Sequence, residues 1–195
     1  MSDPVEVLEF WLGEIGPEGW YAGGEALDAL CRERFGDLWQ AAHEDGLEHW
    51  VDGTVGTLAY LVICDQLARN IHRGSALAFA TDARALAAAR RALQEGWDMG
   101  APEPERQFFY MPFEHSENSE DQALAVQLLT ERMASDPEMA LHARAHQAII
   151  ARFGRFPFRN AALGRASTAE EAEFLAKGGY AAEVARLRAS HAPGA

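Results

Sequence analysis

The feature that most constrains the fold is the helical spacing of apolar residues, which recurs along nearly every long segment of the chain. Between residues 25 and 43, for example, Leu27, Leu30 and Leu38 fall on one face of a helix. Strict alternation of apolar and polar residues, which is typical of half-buried strands, does not occur in the sequence. The sequence therefore predicts an all-α protein, either a helix bundle or a solenoid of antiparallel helix pairs.

Capping signals divide this pattern into about eight helices. Asp3 and Asp136 each precede a proline, Thr168 precedes the segment AEEAEFLAK, and Gly96 follows an alanine-rich run. The segments GPEGWYAGG and RFPFRNAALGRAS are predicted to be loops, because glycine and proline interrupt the apolar spacing. The six longer predicted helices cover 4–13, 25–43, 54–70, 82–95, 119–134 and 137–153, and Thr54 is the predicted cap of the helix that ends at 70. A short helix is predicted in PEPERQFFYMPF, and a last one follows Thr168.

Length and charge limit the class of protein. A chain of 195 residues fits one domain, here predicted over 1–190 with a frayed tail at 191–195. A net charge of −13 argues against nucleic acid and anionic membranes as partners. The longest apolar run, LAYLVIC, is far shorter than the roughly 20 residues of a membrane-spanning helix. The first segment is acidic and lacks the basic start of a signal peptide, and the two cysteines, Cys31 and Cys64, are predicted to be reduced and buried. We therefore expect a cytoplasmic protein.

The first polar cluster is DQLARNIHRG. Asp65 and Arg69 lie four residues apart on a helix face that is otherwise apolar, so we expect them to form an ion pair. Asn70 and Arg73 extend the polar patch to the end of the helix. The cluster is either a structural ion pair between helices or part of a ligand site.

The second cluster, YMPFEHSENSEDQ, places His115 and Glu117 in a turn before a helix. A histidine beside carboxylates can carry protons or bind a metal ion. A capping turn built on Ser116 and Ser119 accounts for the same residues.

A third cluster begins with His142 and His146, four residues apart on the apolar face of the predicted helix 137–153. The glutamate that follows the first histidine in metalloprotease helices is absent here, so we predict a core histidine, no metal site and no cofactor.

Arginines alternate with phenylalanines beyond this helix. Their positions are Arg152, Arg155, Arg159 and Arg165, and Phe153, Phe156 and Phe158. The phenylalanines are expected to fasten the loop to the core and hold the guanidinium groups in place. Those groups would face either internal acids such as Asp65 or the carboxylate or phosphate of a ligand.

Four blocks, VLEFWLGEIGPEGWY, DQLARNIHRGSALAFATDARAL, ERQFFYMPFEHSENSEDQ and HQAIIARFGRFPFRNAALGRASTAEEAEFL, together resemble the bacterial domain-of-unknown-function family numbered 924. The resemblance covers nearly the whole chain. It implies an all-α fold of antiparallel helix pairs in a tetratricopeptide-like right-handed superhelix, and it implies no established activity.

The chain departs from the family pattern at three places. The family commonly reads DQFPRNI where this chain has Leu67-Ala68, MHSED where it has Glu114, and FPHRN where it has Phe158. A histidine that could serve a metal or acid/base role is thus missing at 158. Candidate ligand-binding residues that match the family pattern are Asp65, Gln66, Arg69, Asn70, Arg73, His115, Ser116, Glu117, Gln122, His146, Arg152, Arg155, Arg159 and Asn160.

Three functions fit these residues. The favoured hypothesis is a binding module whose arginine-lined groove holds a small anion or an acidic peptide. The alternative is a hydrolase or transferase acting on a phosphorylated or carboxylated metabolite, with His115, His146 and either Asp65 or Glu117 in acid/base roles. In the third, the polar residues form a structural network and the function is contact with another protein.

Overall fold

A computed structural model describes residues 3–190, which form helices joined by turns with no strand among them. The all-α prediction is confirmed, and the tetratricopeptide-like superhelix stays a prediction. The predicted frayed tail, 191–195, lies outside the described residues. The chain divides into two compact units, Met1–Pro112 and Phe113–Ala195, which we call unit 1 and unit 2. The single domain over 1–190 stays a prediction.

Unit 1 contains seven α-helical segments with shorter helical turns between them. The α-helices are α1 (Pro4–Leu8), α2 (Gly16–Gly19), α3 (Glu25–His43), α4 (Thr54–Leu61), α5 (Ala68–Ile71), α6 (Asp82–Glu95) and the start of α7 (Met111–Glu114). π-Helical turns at Glu9–Ile15 and Val62–Leu67 continue α1 and α4, and 3-10 turns lie at Glu48–Trp50, Ala76–Phe79, Trp97–Gly100 and Glu105–Phe109.

The predicted start of the first helix is confirmed. The Asp3 carboxylate accepts a hydrogen bond from the Val5 N–H at 3.0 Å, and Pro4 occupies the first turn, where no N–H partner is needed. The cap predicted at Thr54 is wrong. Gly53 precedes α4, and the Thr54 hydroxyl instead donates to the Trp97 carbonyl at 2.8 Å.

The core of unit 1 forms where α1 packs on α4, and α3 packs on α5 and the second π-helical turn. The rings of Phe10 and Phe35 lie 4.9 Å apart in this core, and both side chains are fully buried. All residues from Thr57 to Ala68 are buried, which confirms the prediction that this helix is enclosed on most sides.

Both cysteines are free and buried, as predicted. Burial raises the pKa of Cys31 to about 11 and that of Cys64 to about 12, so neither thiol ionises readily near neutral pH. No helix within residues 3–190 is long and apolar enough to cross a membrane.

Unit 2 consists of the end of α7 and four longer helices. They are α8 (Ser119–Arg132), α9 (Pro137–Phe153), α10 (Ala169–Ala176) and α11 (Gly179–Ser190), with a 3-10 turn at Pro157–Arg159. α9 is central, because α8 and α11 both pack on it. Its core residues Ile149 and Ile150 contact Phe156 and Phe174.

α11 was not predicted from the sequence. The last predicted helix ended within AEEAEFLAK. The chain does break there, at Gly178 and at Gly179, the first residue of α11, which both have positive φ. α11 is held by tertiary packing, since Val184 lies in a cluster with Leu141 and Ala145 of α9. The other predicted caps in this unit, Asp136 and Thr168, are confirmed by hydrogen bonds to Glu138 N–H at 3.1 Å and Glu171 N–H at 3.2 Å.

Candidate functional site

The candidate residues fall into one group in each unit. Unit 1 holds Asp65, Gln66, Arg69, Asn70 and Arg73, and unit 2 holds His115, Ser116, Glu117, Gln122, His146, Arg152, Arg155, Arg159 and Asn160.

The ion pair predicted between Asp65 and Arg69 is present in unit 1. Asp65 is 1% exposed, and its carboxylate accepts from Arg69 at 3.2 Å and from the Gln66 amide at 2.6 Å. A second nitrogen of Arg69 contacts the Asp82 carboxylate at 2.7 Å and also the carbonyl of Ala78. The guanidinium of Arg69 is therefore bound within the unit.

Asn70 and Arg73 meet at Asp28, a residue that the sequence analysis did not single out. The Asp28 carboxylate accepts from Asn70 at 2.9 Å and from two nitrogens of Arg73 at 2.5 and 2.8 Å. The hydrogen bond from Arg73 lowers the pKa of Asp28, and Asn70 contributes in the same direction against the opposing effect of burial. No local signal marks Asp28, because it precedes Asn70 by 42 residues.

In unit 2, Glu171 is the partner of Arg155. The Glu171 carboxylate accepts from two nitrogens of Arg155 at 2.6 and 2.8 Å, from the Thr168 N–H at 2.7 Å and from Asn160 at 3.3 Å. Its side chain is 3% exposed. The hydrogen bond from Arg155, followed by that from Thr168, lowers the pKa of Glu171 to about 2. This carboxylate therefore links the arginine loop to the capping box of α10.

We expect Glu171→Gln to reduce the acid sensitivity of folding. The folded pKa of about 2 lies below the ordinary value of 4.5, so the stabilisation by Glu171 is present above about pH 4.5 and is lost as the pH falls towards 2. The melting temperature of the wild type should drop by several degrees more than that of Glu171→Gln across this range. Glu170→Gln, at an exposed neighbouring position, is the control. If the melting temperature falls equally with pH in all three proteins, Glu171 does not have this role.

Glu117 anchors the other end of the arginine loop. Its carboxylate accepts from two nitrogens of Arg165 at 2.7 and 3.0 Å, and from the N–H of the buried Phe156 at 2.8 Å. Burial raises the pKa of Glu117, but the hydrogen bonds from Arg165 and Phe156 outweigh burial and hold it below its ordinary value. An acid/base role for Glu117 is one of the functions that fit the sequence, whereas its described contacts are those of a structural anchor.

The remaining two arginines of this loop differ in exposure. Arg152 and Glu170 form a solvent-exposed pair at 2.8 Å, with more than half of each side chain accessible. Arg159 is 6% exposed, and its guanidinium lies over the ring of Phe156 at 4.7 Å from the centroid. The phenylalanine does hold the arginine in place, as the sequence predicted.

A histidine and a carboxylate form the centre of a separate cluster in unit 2. Nδ1 of His146 lies 2.5 Å from Oε1 of Glu114 and 3.1 Å from the carbonyl oxygen of His142. A carbonyl oxygen can only accept, so the hydrogen-bond pattern assigns the proton to Nδ1. Nε2 of His146 has no hydrogen-bond partner among residues 3–190, and 13% of the side chain is exposed.

Aromatic rings surround His146. Ring centroids lie 4.6 Å away for Tyr180, 5.4 Å for Phe156 and 6.1 Å for His115. The Tyr180 hydroxyl also lies 2.5 Å from Nδ1 of His142. The cluster therefore brings together three histidines, one carboxylate and one phenol within unit 2.

Glu114 is 3% exposed and carries the negative charge of this cluster. Burial acts to raise the pKa of the Glu114 carboxyl, but His146 lowers it by charge and hydrogen bonding, and His115 and His142 add to this effect. The pKa of Glu114 consequently lies below its ordinary value. Oε2 of Glu114 is buried with no hydrogen-bond partner in the described structure, so His146 is its main source of compensation.

The turn that carries Glu114 is fixed by Gln122. The Gln122 amide donates to the carbonyls of Glu114 at 2.6 Å and Ser116 at 2.7 Å. Asn118, rather than Ser116 or Ser119, caps α8. Ser116 does take part in the turn before this helix, because its hydroxyl accepts from the Asn118 N–H at 3.2 Å and donates to Asp121 at 2.8 Å. The candidates Ser116 and Gln122 thus hold the turn in shape.

Two members of the histidine cluster, Glu114 and Tyr180, were not among the residues predicted from the sequence. Glu114 stood out only as a departure from the family pattern, although a carboxylate beside a histidine was a usable signal. Tyr180 lies in α11, the helix that the periodicity did not reveal. Within residues 3–190, no group of three or more histidine, cysteine, aspartate or glutamate side chains is arranged to hold a metal ion.

Comparison with known proteins agrees with the resemblance noted in the sequence. A solved structure of a protein of unknown function from Agrobacterium tumefaciens is 36% identical, with a TM-score of 0.82. The match covers 88% of this chain and 96% of that chain. Comparison with curated proteins finds no match. The model of a bacterial family of unknown function, DUF924, matches residues 7–179. The chain therefore belongs to the DUF924 family.

Proposed function

We propose that unit 2 carries the acid/base site of a hydrolase or transferase, with His146 as the general base. The proposal rests on the different environments of the two ring nitrogens of His146. Nδ1 is hydrogen-bonded to the buried Glu114 carboxylate at 2.5 Å, whereas Nε2 has no partner among the described residues. A carboxylate on Nδ1 is the arrangement that orients a histidine for proton transfer at Nε2.

In this mechanism Nε2 takes a proton from a substrate hydroxyl or from a water molecule, and Glu114 stabilises the imidazolium that forms. The proton returns to the leaving group in the second half of the reaction. Glu114 touches no substrate and is a positioning residue. The nearby Phe158 ring is 42% exposed and lies 5.1 Å from Phe156 and 6.4 Å from Tyr180, so it favours a substrate with an apolar or planar group.

The contacts of the arginines favour a structural role for them. Glu171 and Glu117 already form two-pronged contacts with Arg155 and Arg165, so an acidic peptide or a small anion would compete with an internal carboxylate for these guanidinium groups. Binding of such ligands by this loop stays a prediction. The same contacts lend no support to a phosphorylated or carboxylated substrate in this loop.

The test compares His146→Gln with His49→Gln, since His49 is exposed and belongs to unit 1. Both proteins are assayed with the wild type against chromogenic esters, phosphoesters, amides and glycosides with planar leaving groups. We expect turnover by the wild type and by His49→Gln, and a loss of about 10²–10⁴-fold in kcat for His146→Gln. No turnover across the panel, or an unchanged kcat in a folded His146→Gln protein, contradicts the proposal.

A further inference from the structure

A cavity of about 530 Å³ lies in unit 1, and none of the candidate residues selected from the sequence lines it. Its walls come from α4, from α6 and from the segment around the 3-10 turn Glu48–Trp50. Small-molecule sites in proteins have volumes of roughly 300–1,000 Å³, so this cavity has the size of a ligand site.

Small side chains on α6 make room for the cavity. Ala83, Ala87 and Ala88 line it where α6 packs against α4. Its apolar surface includes Val51 and Tyr60, which are 8% and 3% exposed. An apolar group placed here would contact side chains that are already fixed by the core, which limits the entropy lost on binding.

Two arginines at the cavity have different surroundings. Arg84 is engaged, since it contacts the Asp45 carboxylate, lies 3.9 Å from Glu48 and donates to the His43 carbonyl at 2.9 Å. Arg91 lies over the Trp97 ring, with its guanidinium carbon 5.1 Å from the ring centroid.

Arg91 forms no ion pair with any carboxylate among residues 3–190. The stacking on Trp97 holds its guanidinium in one region while leaving its N–H donors for another partner. An anion that meets Arg91 at the cavity gains a charge-assisted hydrogen bond without displacing an internal carboxylate.

We propose that this cavity binds a small organic carboxylate. The carboxylate group pairs with Arg91, and the apolar body of the ligand lies against Val51, Tyr60 and Ala88. The Glu48 carboxylate is also at the cavity, and it disfavours ligands with a second negative charge. A monocarboxylate with an aromatic or branched apolar body therefore fits best. This site is independent of the acid/base cluster of unit 2.

The first experiment measures binding of 3-phenylpropionate, benzoate and indole-3-acetate to the full chain by calorimetry and ligand-observed NMR. Each carboxylate is paired with its neutral amide. We expect at least one carboxylate to bind with a dissociation constant of about 1 mM or tighter, and its amide to bind at least about tenfold more weakly. Absence of binding by all three carboxylates at about 5 mM overturns the proposal.

The second experiment locates the site with two variants. Arg91→Gln removes the charge, and Ala87→Leu fills the cavity from an exposed position that tolerates the change. Both should weaken carboxylate binding by about tenfold or more, and Arg91→Gln should also remove the preference over the amide. The controls are Arg90→Gln, the adjacent exposed arginine, and Ala123→Leu, an exposed alanine on α8. Binding that is equal in all four variants overturns the proposal.

Discussion

His146→Ala is expected to lower the free energy of unfolding by about 1.5–3 kcal/mol, because it removes the N–H donor of a buried carboxylate. Glu114 is 3% exposed and its Oε2 atom has no hydrogen-bond partner in the described structure, so His146 is the main group that compensates its charge. Removal of the imidazole leaves a buried carboxylate that must either remain charged without a partner or take up a proton. Urea denaturation at neutral pH measures the loss directly.

A double-mutant cycle separates this charge effect from the loss of packing. Glu114→Met replaces the carboxylate by an apolar side chain of similar length, and Nδ1 of His146 can still donate to the His142 carbonyl at 3.1 Å. We therefore expect Glu114→Met alone to cost less than about 1.5 kcal/mol. In the double variant, most of the loss seen in His146→Ala should disappear.

Additive effects of the two substitutions would show that Glu114 and His146 are not coupled. That outcome would also remove the physical basis of the proposed acid/base site, because the orientation of His146 rests on this contact. A loss below about 1 kcal/mol for His146→Ala leads to the same conclusion.

Gly56→Ala is expected to destabilise the protein by about 3 kcal/mol, although alanine is the better helix former. A Cβ atom at Gly56 would overlap the backbone carbonyl oxygen of Trp50, which cannot move away as a flexible side chain could. Relief of this overlap would shift α4 away from the segment that carries Val51, a wall of the cavity in unit 1.

Gly36→Ala is the matched control for this prediction. Gly36 also lies inside a helix, α3, but a Cβ atom there meets no atom within 4 Å. The substitution should raise the free energy of unfolding by about 0.5–1 kcal/mol, because alanine loses less backbone entropy than glycine on folding. If both variants change the free energy of unfolding in the same direction and by similar amounts, close packing is not the reason why position 56 is a glycine.

Interactions between residues close in the chain could be predicted from the sequence. Asp3, Asp136 and Thr168 were identified as caps because each accepts from an N–H only two or three residues further on. The pair Asp65 and Arg69 was identified by its spacing of four residues. Such signals depend on helix geometry alone, and they were sufficient for the all-α fold.

Other features of the candidate site depend on packing between distant segments. Glu117 meets Arg165 across 48 residues, and His142 meets Tyr180 across 38. The sequence had associated the arginines with a ligand or with Asp65, whereas three of them contact carboxylates of unit 2. The sequence around a carboxylate is the same whether an arginine or a histidine from a distant segment lies opposite it. The partner of each carboxylate is therefore set only by tertiary packing.

The sequence by itself determined the class of fold, the places where most helices begin, and the residue types that gather near His146 and the arginine loop. The tertiary structure decided which carboxylate pairs with which cation, that α11 exists, and that a cavity remains beside Arg91. The physical reason is the distance along the chain over which each kind of interaction acts. Caps and helical spacing act within one turn of the chain, whereas charge pairing and cavities arise where separate helices pack against each other.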